Sequence, residues 1–285
     1  MSSTPIASGS ETPAPQPRTQ SEAEIYQRLR AHLGFLKLAD AAEALPRILD
    51  EARTAKLSLV DGLEKLLAVE VDATEDRRLT SRLRFACLPA PWRLSDFDYT
   101  AQPGLDQALI RELATLRFID EGANALFIGP PGVGKTMLAI GLARASAEAG
   151  HRVYFTTAAD LAARCHKAAI EGRWATMMRF YAGPRLLVLD ELGYLPLAAD
   201  AAAALFQVII TCYANGSSTI ITTNVGIGAW ASAFGDPIVA AAMLDRLLHH
   251  GVVVGIDGPS YRLRSHQARA EALRTGVEVK PNATR

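Results

Sequence analysis

The sequence predicts an α/β domain with a mostly parallel β-sheet covered by helices on both faces, preceded by a small all-helical domain. Three observations support this prediction. Apolar, strand-like runs alternate with helical patterns from about residue 92 onward. The first of these runs ends in a glycine-rich turn that contains Lys135 and Thr136, and a later run ends in the acidic pair Asp190-Glu191. Strands that alternate with helices are typical of parallel sheets.

Composition limits the possible classes of protein. The chain has 285 residues, enough for one large or two modest domains, and 49% hydrophobic with 21% charged residues is typical of a soluble globular protein. Lys plus Arg and Asp plus Glu both number 30, so the overall charge neither favours nor excludes nucleic-acid binding. Cys87, Cys165 and Cys212 lack the spacing of a disulfide framework or zinc site. Because no membrane-length apolar run or signal peptide is present, we expect a cytoplasmic protein without a membrane contact.

The first part of the chain predicts a tail followed by a helical domain. Residues 1–20 are rich in Ser, Thr, Pro and Gln, which predicts a disordered tail. Ser21 and Glu24 then form a capping-box pattern, and apolar residues at spacings of three and four continue to about residue 86. We therefore predict a helical domain over residues 21–88 that binds DNA or a partner, with residues 88–91 as a proline-rich linker.

The last helix of this domain contains a group of arginines. Arg77, Arg78, Arg82 and Arg84 lie largely on one side at helical spacing. They form either a solvated charged face or a face that contacts DNA phosphates.

The glycine-rich turn has the G-x-x-x-x-G-K-[ST] pattern between a strand and a helix. Its glycines allow successive N–H groups to point into one concavity. Lys135 would reach the β and γ phosphates, and the Thr136 hydroxyl would ligate Mg²⁺. The alternative is a chance lysine in a structural turn. The predicted nucleotide-binding residues are Gly129, Pro130, Pro131, Gly132, Val133, Gly134, Lys135, Thr136 and Met137. We expect the helix predicted at 105–119 to help cover the base.

A second strand is predicted at 151–156, followed by helical pieces at 160–171 and 173–181. These pieces contain basic residues interleaved with aromatic ones, namely Arg164, Lys167, Arg173 and Arg179 with Trp174, Phe180 and Tyr181. Such a mixture suits a nucleic-acid surface. The alternative is an ordinary crossover helix with a broken end.

Two further strands end in polar residues. The strand at 186–191 is continuously apolar until Asp190, which would hold the Mg²⁺ shell, and Glu191, which would polarise the attacking water. The strand at 219–224 ends at Asn224, whose amide would orient that water or contact the γ-phosphate. The alternative for Asn224 is a simple turn residue. After these come a helix at 240–250, a fifth strand at 252–256 and a flexible tail at 266–285.

Together these residues resemble the IstB family. The resemblance rests on Gly129 to Thr136, the string 190–196 (Asp-Glu-Leu-Gly-Tyr-Leu-Pro), 222–224, 243–247 and 260–264 (Ser-Tyr-Arg-Leu-Arg), within about residues 22–266. IstB is the ATPase helper of a two-component insertion-sequence transposition system and is related to the helicase loader DnaC and the initiator DnaA. The 190–196 string is the most specific part.

The resemblance implies the AAA+ fold over residues 92–265, ATP as the nucleotide, and homo-oligomers with ATP at subunit interfaces. It makes Lys135 and Thr136 Walker A residues, Asp190 and Glu191 Walker B residues, and Asn224 sensor 1. Arg246 matches the arginine finger and Arg262 the sensor 2 arginine. No room remains for a full helical lid, which normally holds that arginine, so we predict a reduced or absent lid.

The function that follows is a Mg²⁺-dependent ATPase that assembles on double-stranded DNA and assists an IstA-like transposase. A DnaC-like replicative helicase loader would share every ATPase motif and differ in its partner. A small-molecule P-loop kinase and a non-hydrolysing DNA-binding module are alternatives from other classes.

Overall fold

The structure is a computed structural model that describes residues 21–193, 199–263 and 274. It divides into two compact units, and the division falls between Arg77 and Arg78. The helices are α1 (Glu22–Phe35), α2 (Ala39–Ala55), α3 (Leu59–Ala86), α4 (Gln107–Ala114), α5 (Arg117–Asp120), α6 (Lys135–Glu148), α7 (Ala158–Ile170), α8 (Trp174–Tyr181), α9 (Ala199–Ala214), α10 (Trp230–Phe234) and α11 (Pro237–His249). The strands are β1 (Asn124–Ile128), β2 (Val153–Thr157), β3 (Leu186–Leu192), β4 (Ser218–Thr223) and β5 (Gly251–Gly255).

The first unit is helical, as predicted, and begins with the expected capping box. The Ser21 hydroxyl accepts a hydrogen bond from the Glu24 amide, and the Glu24 carboxylate accepts one from the Ser21 amide, each at 3.2 Å. Helix α2 lacks a side-chain cap at its own N-cap residue. Instead, the buried carboxylate of Glu70 on α3 accepts from the Ala41 amide at 3.0 Å. A small core holds these helices together: Leu33, Ala41, Leu45, Ile48 and Leu66.

In the second unit, five strands of the described residues form one parallel sheet in the order β2-β3-β4-β1-β5. Side chains that alternate along β1 enter different cores. Phe127 joins the buried cluster that contains α6 residues, whereas Leu126 joins the cluster that contains α7 and α9 residues. The sheet is thus covered on both faces, as predicted from its continuously apolar strands. The carboxyl ends of all five strands lie on one edge, because the strands are parallel.

The proline-rich segment after α3 does not behave as a free linker. Leu88, Ala90 and Trp92 pack against the core of the second unit. Earlier in α3, the Phe85 ring lies 5.6 Å from the Tyr154 ring of β2. The structural division therefore lies inside α3, whereas the sequence placed it at 88–91, because apolar residues from the end of the helix and from this segment pack on the core of the second unit.

Most predicted elements match the structure to within a few residues. The exception is the helix predicted at 105–119, which is two helices, α4 and α5, separated by Leu116 in the left-handed conformation (φ 63°). Helix α10 was not predicted. The predicted tails at 1–20 and 266–285, apart from Arg274, lie outside the described residues, as do Tyr194, Leu195, Pro196 and Arg264. In the part of the chain that is described, each helix is too short or too polar to cross a bilayer.

Candidate active site

The glycine-rich turn connects β1 to α6 and has the backbone geometry that the motif requires. Gly132 and Gly134 have φ values of 84° and 100°, in the region that favours glycine. Side chains would also clash at both positions. A Cβ on Gly132 would lie 2.1 Å from the Ser260 hydroxyl, and one on Gly134 would lie 2.5 Å from the Phe97 ring.

Lys135, the first residue of α6, folds back over this turn. Its Nζ donates hydrogen bonds to the carbonyl oxygens of Gly129 at 2.7 Å and Pro130 at 2.8 Å. Burial lowers the pKa of Lys135; the charge of Asp190 opposes this effect and the charge of Arg262 adds to it. The ammonium group therefore lies near both an acid and a second cation, where a polyanion would be favourable.

Thr136 and Asp190 form the contact expected of a magnesium site. The Thr136 hydroxyl donates to the Asp190 carboxylate at 2.9 Å to Oδ1 and 3.2 Å to Oδ2. Asp190 is 5% exposed and also accepts a hydrogen bond from the Thr222 hydroxyl of β4. A hydroxyl and a carboxylate beside a phosphate-binding loop are oxygen ligands of the kind that Mg²⁺ takes, so the residues present fit that ion.

Glu191 follows in an unusual backbone conformation. It is exposed and has a φ of 61°, which L-residues other than glycine seldom adopt. The pairing of β3 with β4 shifts register between Leu189 and Leu192, on either side of the acidic pair. Non-glycine residues with such strain occur preferentially at functional sites.

Asn224 comes directly after β4 and is exposed. The residue before it, Thr223, is in register with Leu192 of β3 and with Ile128 of β1. Since β4 lies between these strands, Asn224 lies between the acidic pair and the glycine-rich turn. The topology therefore brings together the three sequence segments predicted to form the site.

A cavity of about 870 Å³ extends from the glycine-rich turn. Its walls include residues predicted from the motif and others that sequence reasoning missed. The predicted ones are Gly132, Val133, Gly134, Lys135, Thr136, Met137 and Arg262. The missed ones are Pro89, Ala90, Pro91, Trp92, Asp96, Phe97, Asp98, Gln102 and Tyr261.

Apart from Tyr261, the missed residues come from the segment before α4, and none comes from the helix at 105–119 that we expected to cover the base. Gln102 connects this segment to the residues that follow β5, because its buried side-chain amide donates a hydrogen bond to the Pro259 carbonyl at 2.9 Å. The aromatic residues around Phe97 were the available sequence signal for a cavity wall. From the sequence alone, such residues cannot be distinguished from ordinary core residues.

Arg262 reaches the cavity from the segment that follows β5. The predicted reduced or absent lid concerns residues after 263, which apart from Arg274 lie outside the described residues. The chain turns back after β5, and the Tyr261 amide donates to the Gly132 carbonyl at 2.9 Å. This backbone contact places the next residue, Arg262, in the cavity wall near Lys135.

Arg246 lies elsewhere, near the end of α11. Its guanidinium donates to the Ala242 carbonyl at 2.8 Å and lies 5.9 Å from the centre of the Phe206 ring. Arg246 is not among the residues that line the cavity of its own chain. An arginine that acts on the nucleotide of a neighbouring subunit does not have to line the cavity of its own chain.

The arginines predicted to contact DNA from α3 have interactions within the chain. Arg77 pairs with Asp40 and, at 3.0 Å, with Glu70. The Arg82 guanidinium donates to the carbonyl of Ala147, near the end of α6, at 2.8 Å. Arg78 follows Arg77 directly on the helix.

The cations predicted on α7 and α8 are also paired. Arg164 donates to the Tyr154 hydroxyl at 2.8 Å. Lys167 and Arg173 both pair with Glu171, the first at 4.0 Å, and their side chains are 73% and 62% exposed. Arg179 donates to the backbone of its own helix at 3.4 Å. Exposed pairs of this kind contribute only about 0–1 kcal/mol, so phosphates can displace the acidic partner.

A parallel sheet in this strand order, with a glycine-rich phosphate loop after β1 and an acidic pair at the end of β3, defines an AAA+ P-loop nucleotide-binding domain. The family model described as "IstB-like ATP binding protein" matches residues 31–269. The chain belongs to this family, whose members are ATP-binding proteins associated with IS21-type insertion sequences.

Two relatives and one solved structure illustrate the match. The chain is 38% identical to the predicted ATP-binding protein of insertion sequence IS5376 from Geobacillus stearothermophilus, over 87% of this chain and 98% of the relative. It is 39% identical to the predicted ATP-binding protein of IS21 from Pseudomonas aeruginosa, over 83% and 89%. The AMPPCP-bound DnaA of Aquifex aeolicus superposes with a TM-score of 0.50 at 19% identity, over 68% of this chain and 58% of DnaA, and shares the fold.

Proposed function

We propose that this protein is a Mg²⁺-dependent ATPase that assembles on double-stranded DNA and assists an IstA-like transposase. The observation that supports hydrolysis best is the contact of Thr136 with Asp190 at 2.9 Å, with Glu191 next in the chain and the glycine-rich turn alongside. A site that only bound nucleotide would need the turn, but not an exposed second acid held in a strained conformation.

In this mechanism Thr136 and Asp190 would hold Mg²⁺, which would offset charge on the phosphate oxygens. Lys135 contacts the β and γ phosphates from the start of α6. Glu191 polarises the attacking water, and Asn224 orients it from the adjacent strand end. Arg262 approaches the γ-phosphate from the same chain.

The proposed assembly rests on Arg246, which matches the arginine finger of the family. Its absence from the lining of its own cavity is compatible with a role at the γ-phosphate of a neighbouring subunit. ATP bound between subunits then joins them, and hydrolysis controls release.

DNA binding is assigned to the exposed cations of α7 and α8, and to those of α3. Contacts to phosphates give binding that is weakly sequence-specific and strongly salt-dependent. The transposase is the proposed partner because the relatives are named for insertion sequences.

Light scattering with duplex DNA tests this function, with and without ATP, for wild type and Arg246→Ala. We expect ATP to build a large DNA-bound assembly that the variant does not form. A wild type that stays monomeric and off DNA in ATP would contradict the proposal and favour a small-molecule kinase. Pull-down with transposase against replicative helicase then separates a transposition helper from a helicase loader.

A further inference from the structure

Thr222 of β4 contacts both acids of the site. Its side chain is 1% exposed. The hydroxyl donates to the Asp190 carboxylate and accepts a hydrogen bond from the Glu191 amide at 3.0 Å. Both bonds use the same oxygen, which has one proton to donate and lone pairs to accept.

The second of these bonds replaces a sheet contact. The strand pairing is in register up to Leu189 with Ile221 and resumes at Leu192 with Thr223. Between these points the Glu191 amide bonds to the Thr222 side chain. Glu191 has its φ of 61° in this same interval. The Thr222 hydroxyl therefore stabilises the backbone conformation of Glu191. This conformation sets the direction in which the Glu191 side chain leaves the backbone.

The first bond restricts Asp190. Thr136 and Thr222 both donate to its Oδ1, from α6 and β4 respectively. If Thr136 held Mg²⁺, the hydrogen bond from Thr222 would still restrain the Asp190 carboxylate.

We propose that Thr222 is a positioning residue of the ATPase site, fixing the orientation of Asp190 through its donated hydrogen bond and that of Glu191 through its accepted one. The inference rests on the proposed ATP hydrolysis. Thr222 contacts neither nucleotide nor water in this role, and its effect on the reaction passes through the two acids.

The adjacent Thr223 provides a matched control. It is also 1% exposed on β4, and its hydroxyl donates to the Leu192 carbonyl at 2.7 Å and accepts from the Val225 amide at 3.0 Å. Thr223→Val therefore removes a buried hydroxyl and its hydrogen bonds from the same strand, and none of these bonds involves Asp190 or Glu191.

The experiment compares Thr222→Val, Thr222→Ser and Thr223→Val in the full-length chain by steady-state ATPase kinetics, fluorescent ATP binding and thermal melting. Thr222→Val keeps the shape but loses both hydrogen bonds, so kcat should fall about 10- to 100-fold, the range for residues that orient metal ligands, with KM little changed. Thr222→Ser should restore most of kcat. Thr223→Val should lower the melting temperature without this loss of kcat.

A second measurement tests whether the effect passes through Glu191. Thr222→Val should lower the residual turnover of Glu191→Gln by a smaller factor than it lowers the turnover of wild type. The reason is that the side chain at position 191 is already ineffective in Glu191→Gln, so misplacing it costs less. If Thr222→Val does not fold, Thr222→Ala replaces it in both measurements with the same expectation.

Three outcomes would overturn the positioning role: wild-type kcat in Thr222→Val, an equal loss in Thr222→Ser, or a change confined to KM. These leave the proposed function intact if wild type shows Mg²⁺-dependent turnover that Glu191→Gln strongly reduces. A wild type that binds ATP without Mg²⁺-dependent turnover would instead defeat the proposed function, and this inference with it.

Discussion

The nucleotide-binding edge of the sheet and the surface of α7 and α8 both contain charged residues, but their contacts differ in range. At the sheet edge, Thr136 bonds to Asp190 across 54 residues of sequence. At the helical surface, Lys167 of α7 and Arg173, which precedes α8, pair with Glu171 between the two helices, at most four residues away. Long-range contacts between buried groups exist only in the folded chain and fix one geometry. Local pairs between exposed groups need only neighbouring residues of the chain and leave the cations able to exchange partners.

The largest expected effect comes from breaking the sheet-edge site at Lys135. Lys135→Ala removes a charge-assisted contact to the phosphates, so ATP affinity should fall about 10- to 100-fold. Fluorescent ATP titration measures this. Lys167→Ala, an equally drastic change on α7, should bind ATP like wild type. Equal losses in the two variants would show that the regions are not functionally separate.

The second prediction concerns the helical surface. A plot of log affinity for duplex DNA against log salt has a negative slope. The double variant Lys167→Ala/Arg173→Ala should reduce the magnitude of this slope by about 2, one for each lost phosphate contact. Its ATP affinity should be unchanged. Glu171→Ala is the control, because it frees the same cations without removing them and should bind DNA at least as well as wild type. An unchanged slope in the double variant would assign these residues to a solvated face.

A smaller effect is expected in proton uptake when ATP binds. Burial holds the pKa of Lys135 below its ordinary value, so part of the population is neutral at alkaline pH. Phosphates stabilise the ammonium form and raise the pKa, so binding should take up protons and weaken as pH rises. Calorimetry at about pH 9 in buffers of different ionisation enthalpy measures this uptake. Lys135→Arg, whose guanidinium stays charged, should show none; uptake that persists in this variant would assign the proton elsewhere.

The smallest expected effect is a difference in reactivity between exposed and buried cysteine thiols. Burial raises the pKa of Cys165 to about 11 and that of Cys212 to about 12, whereas Cys87 is exposed after α3. Ellman's reagent should therefore label about one thiol in the native protein and all three after unfolding. Cys87→Ser should abolish the native signal. Rapid labelling of a second thiol would show that the α7–α9 core opens.

Several features were determined by the sequence itself. The apolar runs predicted the five strands, and the capping pattern at Ser21 predicted the start of α1. The motif residues Lys135, Thr136 and Asp190 lie together as expected, because parallel strands place their carboxyl ends on one edge. These features depend on local periodicity and on a short, highly constrained turn.

Other features were decided only by the tertiary structure. The segment around Trp92 and Phe97 lines the cavity, and Tyr261 brings Arg262 there through a bond to Gly132, although each looks like ordinary linker or tail in sequence. The role of Thr222 depends on a register shift that no periodicity reveals. The physical reason is that sequence patterns report local conformation and burial, whereas the pairing of polar groups far apart in the chain is set by how strands and loops meet after folding.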